Sequence, residues 1–299
     1  MRVIVVLFFL PVLVFITSLS HSEANVTLQN RELLIVSDTS LELTQHFLSI
    51  FPQIKTEVEG STGLRLQSRP ILMLIQDHGK FEAISGSPFI TAFAVPQRNL
   101  IVMHVSPADT RRYLLLEDTL RHELCHLILH SNIPSSSLPK WLDEGVCQWV
   151  SGTMGEFLLR GPMGQVNFPR EYIPLSHLVD GFPQDRRSLE LAYWQSRSFV
   201  QHLSSKYGSE RIISLLHALK SGSSLEQAFM SIFGQSLEAV EKQWRVENSN
   251  LHVWFIWVNQ NLYPILFFFA ALLVVVAFIR RKLIDRERRL TDYGDEDEL

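Results

Sequence analysis

The chain has 299 residues, 46% of them hydrophobic, and a net charge of −4. That length allows one large domain or two small ones around a well-filled core. No basic stretch is interleaved with aromatic residues between 25 and 250, which speaks against nucleic acid as a partner.

Met1 and Arg2 are followed by an uncharged run from Val3 to Ile16 and then by small and polar residues from Ser18 to Ala24. This is the layout of a signal peptide, so residues 1–24 are read as a removed leader and the chain as exported. A buried core segment or an uncleaved anchor is the alternative. Asn25 opens an N-V-T glycosylation sequon, which matters only in a eukaryotic secretory pathway.

The exported part, residues 25–250, reads as two halves. In the first, Glu32–Ser37 is a short apolar strand, Leu41–Phe51 has helical spacing, and Ile71–Ile75 is a second strand ended by "QDHGK". Ile90–Val95 and Leu100–Val105 flank "PQRN", which is turn chemistry for a hairpin. At "SPAD" the pattern becomes helical: Ser106 can cap, Pro107 suits the first position and Asp109 can complete a capping box. This helix is expected to run to about His130. A loop follows over Ser131–Pro139, then a short helix over Trp141–Val150, then Gly- and Pro-rich connections from Ser151 to Pro183. From Leu189 to Val246 nearly everything is helical, with Gly208, Gly222 and Gly234 at helix ends and Ser223 with Glu226 as a capping box. The fold class is therefore α+β: a small N-terminal sheet with a helix, the histidine-bearing helix, then an α-helical C-terminal subdomain.

Residues 251–261 form a juxtamembrane stretch ahead of Leu262–Ile279, an uncharged run of eighteen residues long enough for a bilayer core of ~30 Å. Trp254, Trp257 and Tyr263 stand where interface aromatics would, and Arg280, Arg281 and Lys282 follow at once. The positive-inside rule makes this one C-terminal transmembrane helix with residues 280–299 in the cytoplasm. The terminal "DYGDEDEL" reads as a solvated acidic end.

The chemistry centres on "RHELCHLILH", Arg121–His130. His122 and His126 lie four apart, about 40° around a helix, so both imidazoles can reach one metal ion. Glu123 stands about 100° from His122, where it can take a proton from a water on that ion. His130 continues the face, but three ligands along ~12 Å of straight helix cannot share an ion at ~2.1 Å, so it is set aside as a helix C-terminal histidine. Leu129 and Asn132 stand where a metzincin would need Gly and His, which excludes that branch. A third ligand is available in "LPKWLDEGVCQW": Glu144, seventeen intervening residues after His126, would complete a His2Glu site with one position open. Gln148, one turn after Glu144, faces the same way and is a candidate partner for a ligating histidine. Cys125 and Cys147 are the only cysteines; in an exported chain they permit a disulfide between the two ligand helices, with two buried thiols as the alternative.

"HELCH" followed by "LPKWLDEG" resembles the gluzincin superfamily of zinc metallopeptidases, in particular the bacterial peptidase MA-like domains. The resemblance extends to "AFAVPQRNLIVM", "IPLSHL", "LAYWQSRSFVQHLSSKYG" and "SLEQAFMSIFGQSLEAVEKQW", and so covers most of Phe93–Trp244. It implies a gluzincin-like fold, one Zn2+ held by His122, His126 and Glu144, Glu123 as general base, and a peptide or protein substrate. It also implies that an extended peptide adds to an edge strand around Leu100–Met103. Tyr193 stands where a family tyrosine could stabilise the oxyanion, and equally where an ordinary helix aromatic would be. The expectation is a membrane-anchored, extracytoplasmic zinc metallopeptidase; a zinc-bearing scaffold that holds peptides without cutting them is the alternative.

Overall fold

In "ILMLI" every position is apolar, as suits a strand covered on both faces. The computed structural model describes residues 26–87, 90–106, 113–152 and 172–294, without the side chains at 26, 113, 249–260, 279 and 282–294. The expected signal peptide, the Asn25 sequon and the Pro107 and Asp109 positions of the proposed cap lie outside the described residues.

Five strands form one sheet: β1 (Val26–Gln29), β2 (Leu34–Ser37), β3 (Ile71–Ile75), β4 (Ala92–Val95) and β5 (Leu100–His104), in the order β1-β2-β3-β5-β4. The central strands β2, β3 and β5 are parallel, and β1 and β4 pair antiparallel at the two ends. Because side chains alternate across a strand, β3 and β5 feed two cores. Leu72, Leu74, Ile101 and Met103 enter the main one, whereas Met73, Ile75, Leu100 and Val102 form a smaller cluster with Phe81 of helix α2 (His78–Ser85). The expected hairpin is present, turned by a 3-10 segment at Pro96–Arg98 and by Asn99 at φ 51°. The expected edge is corrected. β5 is bonded on both sides, to β3 and to β4, so its backbone groups are already paired, and the end strand on this side is β4.

Helix α1 runs over Leu41–Thr62, eleven residues beyond the expected Phe51, and passes through Pro52. Proline leaves the carbonyl four residues back without its helical donor. That carbonyl, on Leu48, instead faces the Asn30 side-chain amide at 3.5 Å. Burial of Phe47, Phe51, Ile54 and Val58 continues the apolar stripe across the proline, and this tertiary packing outweighs the lost bond.

The second half is helical: α3 (Tyr113–Asn132), α4 (Lys140–Ser151), α5 (Arg186–Tyr207), α6 (Ser209–Lys220), α7 (Leu225–Phe233) and α8 (Leu237–Gln260). Gly208, Gly222 and Gly234 do stand at helix ends, but the capping box ahead of α7 is Ser224 with Gln227, one residue later than expected. Gly222 takes φ 89° in the turn between α6 and α7.

The chain divides into two compact units, one ending at Trp244 and one beginning at Arg245. Helix α9 (Leu262–Gly294) belongs to the second. Among the described residues no helix is long and apolar enough to cross a membrane. The described side chains of the apolar run stop at Phe278, and all from Leu262 to Phe278 except Ile265 are exposed.

Candidate metal centre

Helices α3 and α4 supply the charged side chains of the site, and α5 supplies Tyr193. In α3, Leu120, Leu124, Leu127, Ile128 and Leu129 are buried in the main core, and His122, Glu123, His126 and His130 line the cleft. In α4, Trp141 and Leu142 are buried, with Trp141 edge-on against Phe199 of α5 at 5.2 Å between ring centres. Gly145 is needed where it stands, because a Cβ there would run into the Ser196 carbonyl and the Val200 methyl of α5. A disulfide joins Cys125 to Cys147 with their Cα atoms 5.4 Å apart, tying α3 to α4 within the ligand-bearing segments.

The side chains of His122, His126 and Glu144 converge. The Nε2 atoms of the histidines are 3.0 Å apart, and Glu144 Oε2 is 3.4 Å from His122 Nε2 and 3.6 Å from His126 Nε2. Ligand atoms bound to one tetrahedral ion at ~2.1 Å stand ~3.4 Å apart, so the triangle has the size of one face of a zinc site. Glu144 Oε2 is fully buried and lacks a hydrogen-bond partner among the described residues, a state costly for a carboxylate oxygen without a cation. The donor set, two imidazoles and one carboxylate, is that of a catalytic zinc site.

A ring of charge surrounds the triangle. Asp143 Oδ1 accepts from His126 Nδ1 at 2.7 Å, which turns the His126 Nε2 lone pair toward Glu144. Asp143 Oδ2 accepts from His130 Nε2 at 3.1 Å and lies 3.4 Å from Lys140 Nζ. Lys140 Nζ donates to Glu144 Oε1 at 2.7 Å. Burial works against ionisation of Glu144, but Lys140 and His126 overcome it and hold the carboxyl well below the usual range. Burial opposes charge on His126 too, yet Asp143 and Glu144 raise its pKa well above the usual value: the two carboxylates favour a cation at this corner, whether a proton or a metal ion. Asp143 and Lys140 were not among the residues expected from sequence. Gln148 does not reach a histidine: its amide faces the backbone carbonyl of Tyr193 at 3.3 Å and joins α4 to α5.

Glu123 is 3% exposed, and burial pushes its carboxyl up despite His122 and His126 nearby. With Tyr193 it lines a cleft of about 200 Å³, together with the triangle, Lys140 and the β4 residues Ala92, Phe93 and Ala94. Burial and the adjacent Glu144 raise the Tyr193 phenol, so it enters the cleft as a neutral donor, its ring edge-on against Phe182 at 5.1 Å.

An HExxH helix, a downstream glutamate on a second helix and a sheet end strand beside them are the arrangement of a zincin-type domain. The chain belongs to the peptidase MA superfamily, whose family model matches residues 56–250, the stretch that holds both ligand helices and β4. No curated protein sequence matches it significantly.

Proposed function

We propose that the protein is a zinc metallopeptidase anchored in a membrane, with its catalytic domain outside the cytoplasm. The observation that carries the reading is the buried triangle of His122 Nε2, His126 Nε2 and Glu144 Oε2, with sides of 3.0, 3.4 and 3.6 Å and an unpartnered oxygen at one corner. Membership of the peptidase MA superfamily supports the same class.

In this reading His122, His126 and Glu144 hold one Zn2+, which acts as a Lewis acid toward water and the scissile carbonyl. Glu123 takes the proton of the attacking water; its raised pKa suits a group that accepts a proton and then passes it to the departing amide nitrogen. The neutral Tyr193 phenol donates a hydrogen bond to the oxygen on which charge develops. An extended peptide pairs with β4, the end strand whose Ala92, Phe93 and Ala94 border the cleft.

The anchor rests on the uncharged run Leu262–Ile279 within α9, its exposed apolar side chains and the basic residues after it. Export is supported by the Cys125–Cys147 disulfide, since such bonds persist in oxidising compartments. Resistance of the protein to alkaline extraction from membranes tests the anchor; release into the soluble fraction would remove it. For the activity, the purified chain is assayed for bound zinc and for cleavage of a mixed peptide library. Stoichiometric zinc and chelator-sensitive cleavage are expected. A metal-free protein, or cleavage indifferent to chelation, sinks the reading.

A further inference from the structure

Glu144 uses its two carboxylate oxygens for different things. Oε2 faces the two histidine nitrogens and has no hydrogen-bond partner among the described residues, whereas Oε1 accepts from Lys140 Nζ at 2.7 Å. We propose, on the strength of the metal-centre reading above, that Lys140 is a positioning residue that occupies Oε1, so that Glu144 offers the metal a single oxygen and a coordination position stays open for water and substrate.

Helix stability does not account for a lysine at this position. Lys140 is the first residue of α4, where the helix dipole disfavours a cation, and Pro139 before it supplies no side-chain cap. A lysine four residues ahead of a glutamate is also the weaker order for a helical ion pair. Nor is this an ordinary surface pair: the Lys140 side chain is 38% exposed, but the carboxylate it meets is only 5% exposed. The same ammonium stands 3.4 Å from Asp143 Oδ2, whose other oxygen orients His126. One cation therefore fixes both the ligating carboxylate and the carboxylate that steers a ligating imidazole. Without it, Glu144 Oε1 would be free to turn toward a bound ion and close the site.

The test uses the full chain in detergent, stripped of metal and reloaded with Co2+, whose visible absorption is stronger in four-coordinate than in five-coordinate sites. Wild type, Lys140→Arg and Lys140→Met are compared. All three are expected to bind one Co2+ per chain. The wild-type and Lys140→Arg spectra are expected to be four-coordinate, and the Lys140→Met spectrum weaker and of higher coordination. Hydrolysis by the zinc-loaded Lys140→Met protein should fall by about 10–100-fold in kcat with KM little changed, and Lys140→Arg should restore most of it. A wild-type spectrum in Lys140→Met overturns the proposal, and a loss confined to KM alongside that spectrum makes Lys140 an anchor for the substrate instead. Failure of the wild type to bind Co2+ removes the metal-centre reading and the role of Lys140 with it; an unchanged variant spectrum removes the role alone.

Discussion

Asp143 and Glu144 are consecutive residues that address opposite nitrogens of one imidazole: Asp143 Oδ1 is 2.7 Å from His126 Nδ1, and Glu144 Oε2 is 3.6 Å from His126 Nε2. Successive side chains on a helix diverge by about 100°, so a ring lying across the start of α4 can be engaged on both edges. Asp143→Asn keeps the shape and removes the charge that sets the His126 tautomer. Metal affinity, measured by competition with a chromophoric chelator, should fall about 10–100-fold. An affinity equal to wild type would show that the His126–Asp143 contact does not steer the ligand.

Glu123→Gln separates binding from chemistry. Glu123 is not one of the three converging ligand groups, so the variant is expected to hold zinc with wild-type stoichiometry. Its kcat should drop by at least about 10²-fold, the loss of a positioned general base. Equal rates for the two proteins at full zinc occupancy would take the base role away from Glu123.

Gly145 and Gly60 make a matched pair of glycines in helices. A Cβ at Gly145 meets the α5 backbone, whereas a Cβ at Gly60 meets nothing within 4 Å. Gly145→Ala should lower unfolding free energy by about 1–3 kcal/mol through overpacking. Gly60→Ala, exposed in α1, should raise it by about 0.4–1 kcal/mol. Denaturant titration of both variants checks the sign of each; a neutral Gly145→Ala would mean that α4 and α5 can separate without cost.

The disulfide spans a sequence separation of 22 residues. Replacing both cysteines by serine should destabilise the domain by about 3 kcal/mol on the chain-entropy account. Because Cys125 precedes His126 and Cys147 follows Glu144 by three, zinc affinity should fall as well. Affinity that survives the double replacement would mean that core packing alone sets the distance between the ligand helices.

How much of this was readable from the residues differs by element. The apolar strands and the ligand spacing were legible, since both are local patterns: "ILMLI" has strand length and His122 and His126 share a helix face. The edge strand was misplaced because strand order is set by non-local pairing, and nothing within Leu100–Met103 shows that β3 lies on one side and β4 on the other. The helical spacing was followed only to Phe51, whereas the helix continues through Pro52 with the carbonyl that proline orphans met by Asn30, eighteen residues away from Leu48. Gln148 has the right spacing for the face of Glu144, but the space beside it is filled by the backbone of Tyr193, which no spacing rule could anticipate. Lys140 and Asp143 were given no role from the sequence, in which the helix is expected to begin at Trp141, one residue later than it does. A lysine at the first position of a helix, against the dipole, was the available signal.

The bond between Cys125 and Cys147 closes a covalent ring that contains His126, His130, Lys140, Asp143 and Glu144. The exposed turn Pro134–Ser136 lies on this ring, between the two helices. Exposed turns of this kind are where proteolytic nicking concentrates. Here a single cut would open the ring without parting it, leaving two fragments that migrate together until reduced. His126 on one fragment and Glu144 on the other would stay tied through that bond, so a nicked molecule would keep the two sides of the site together.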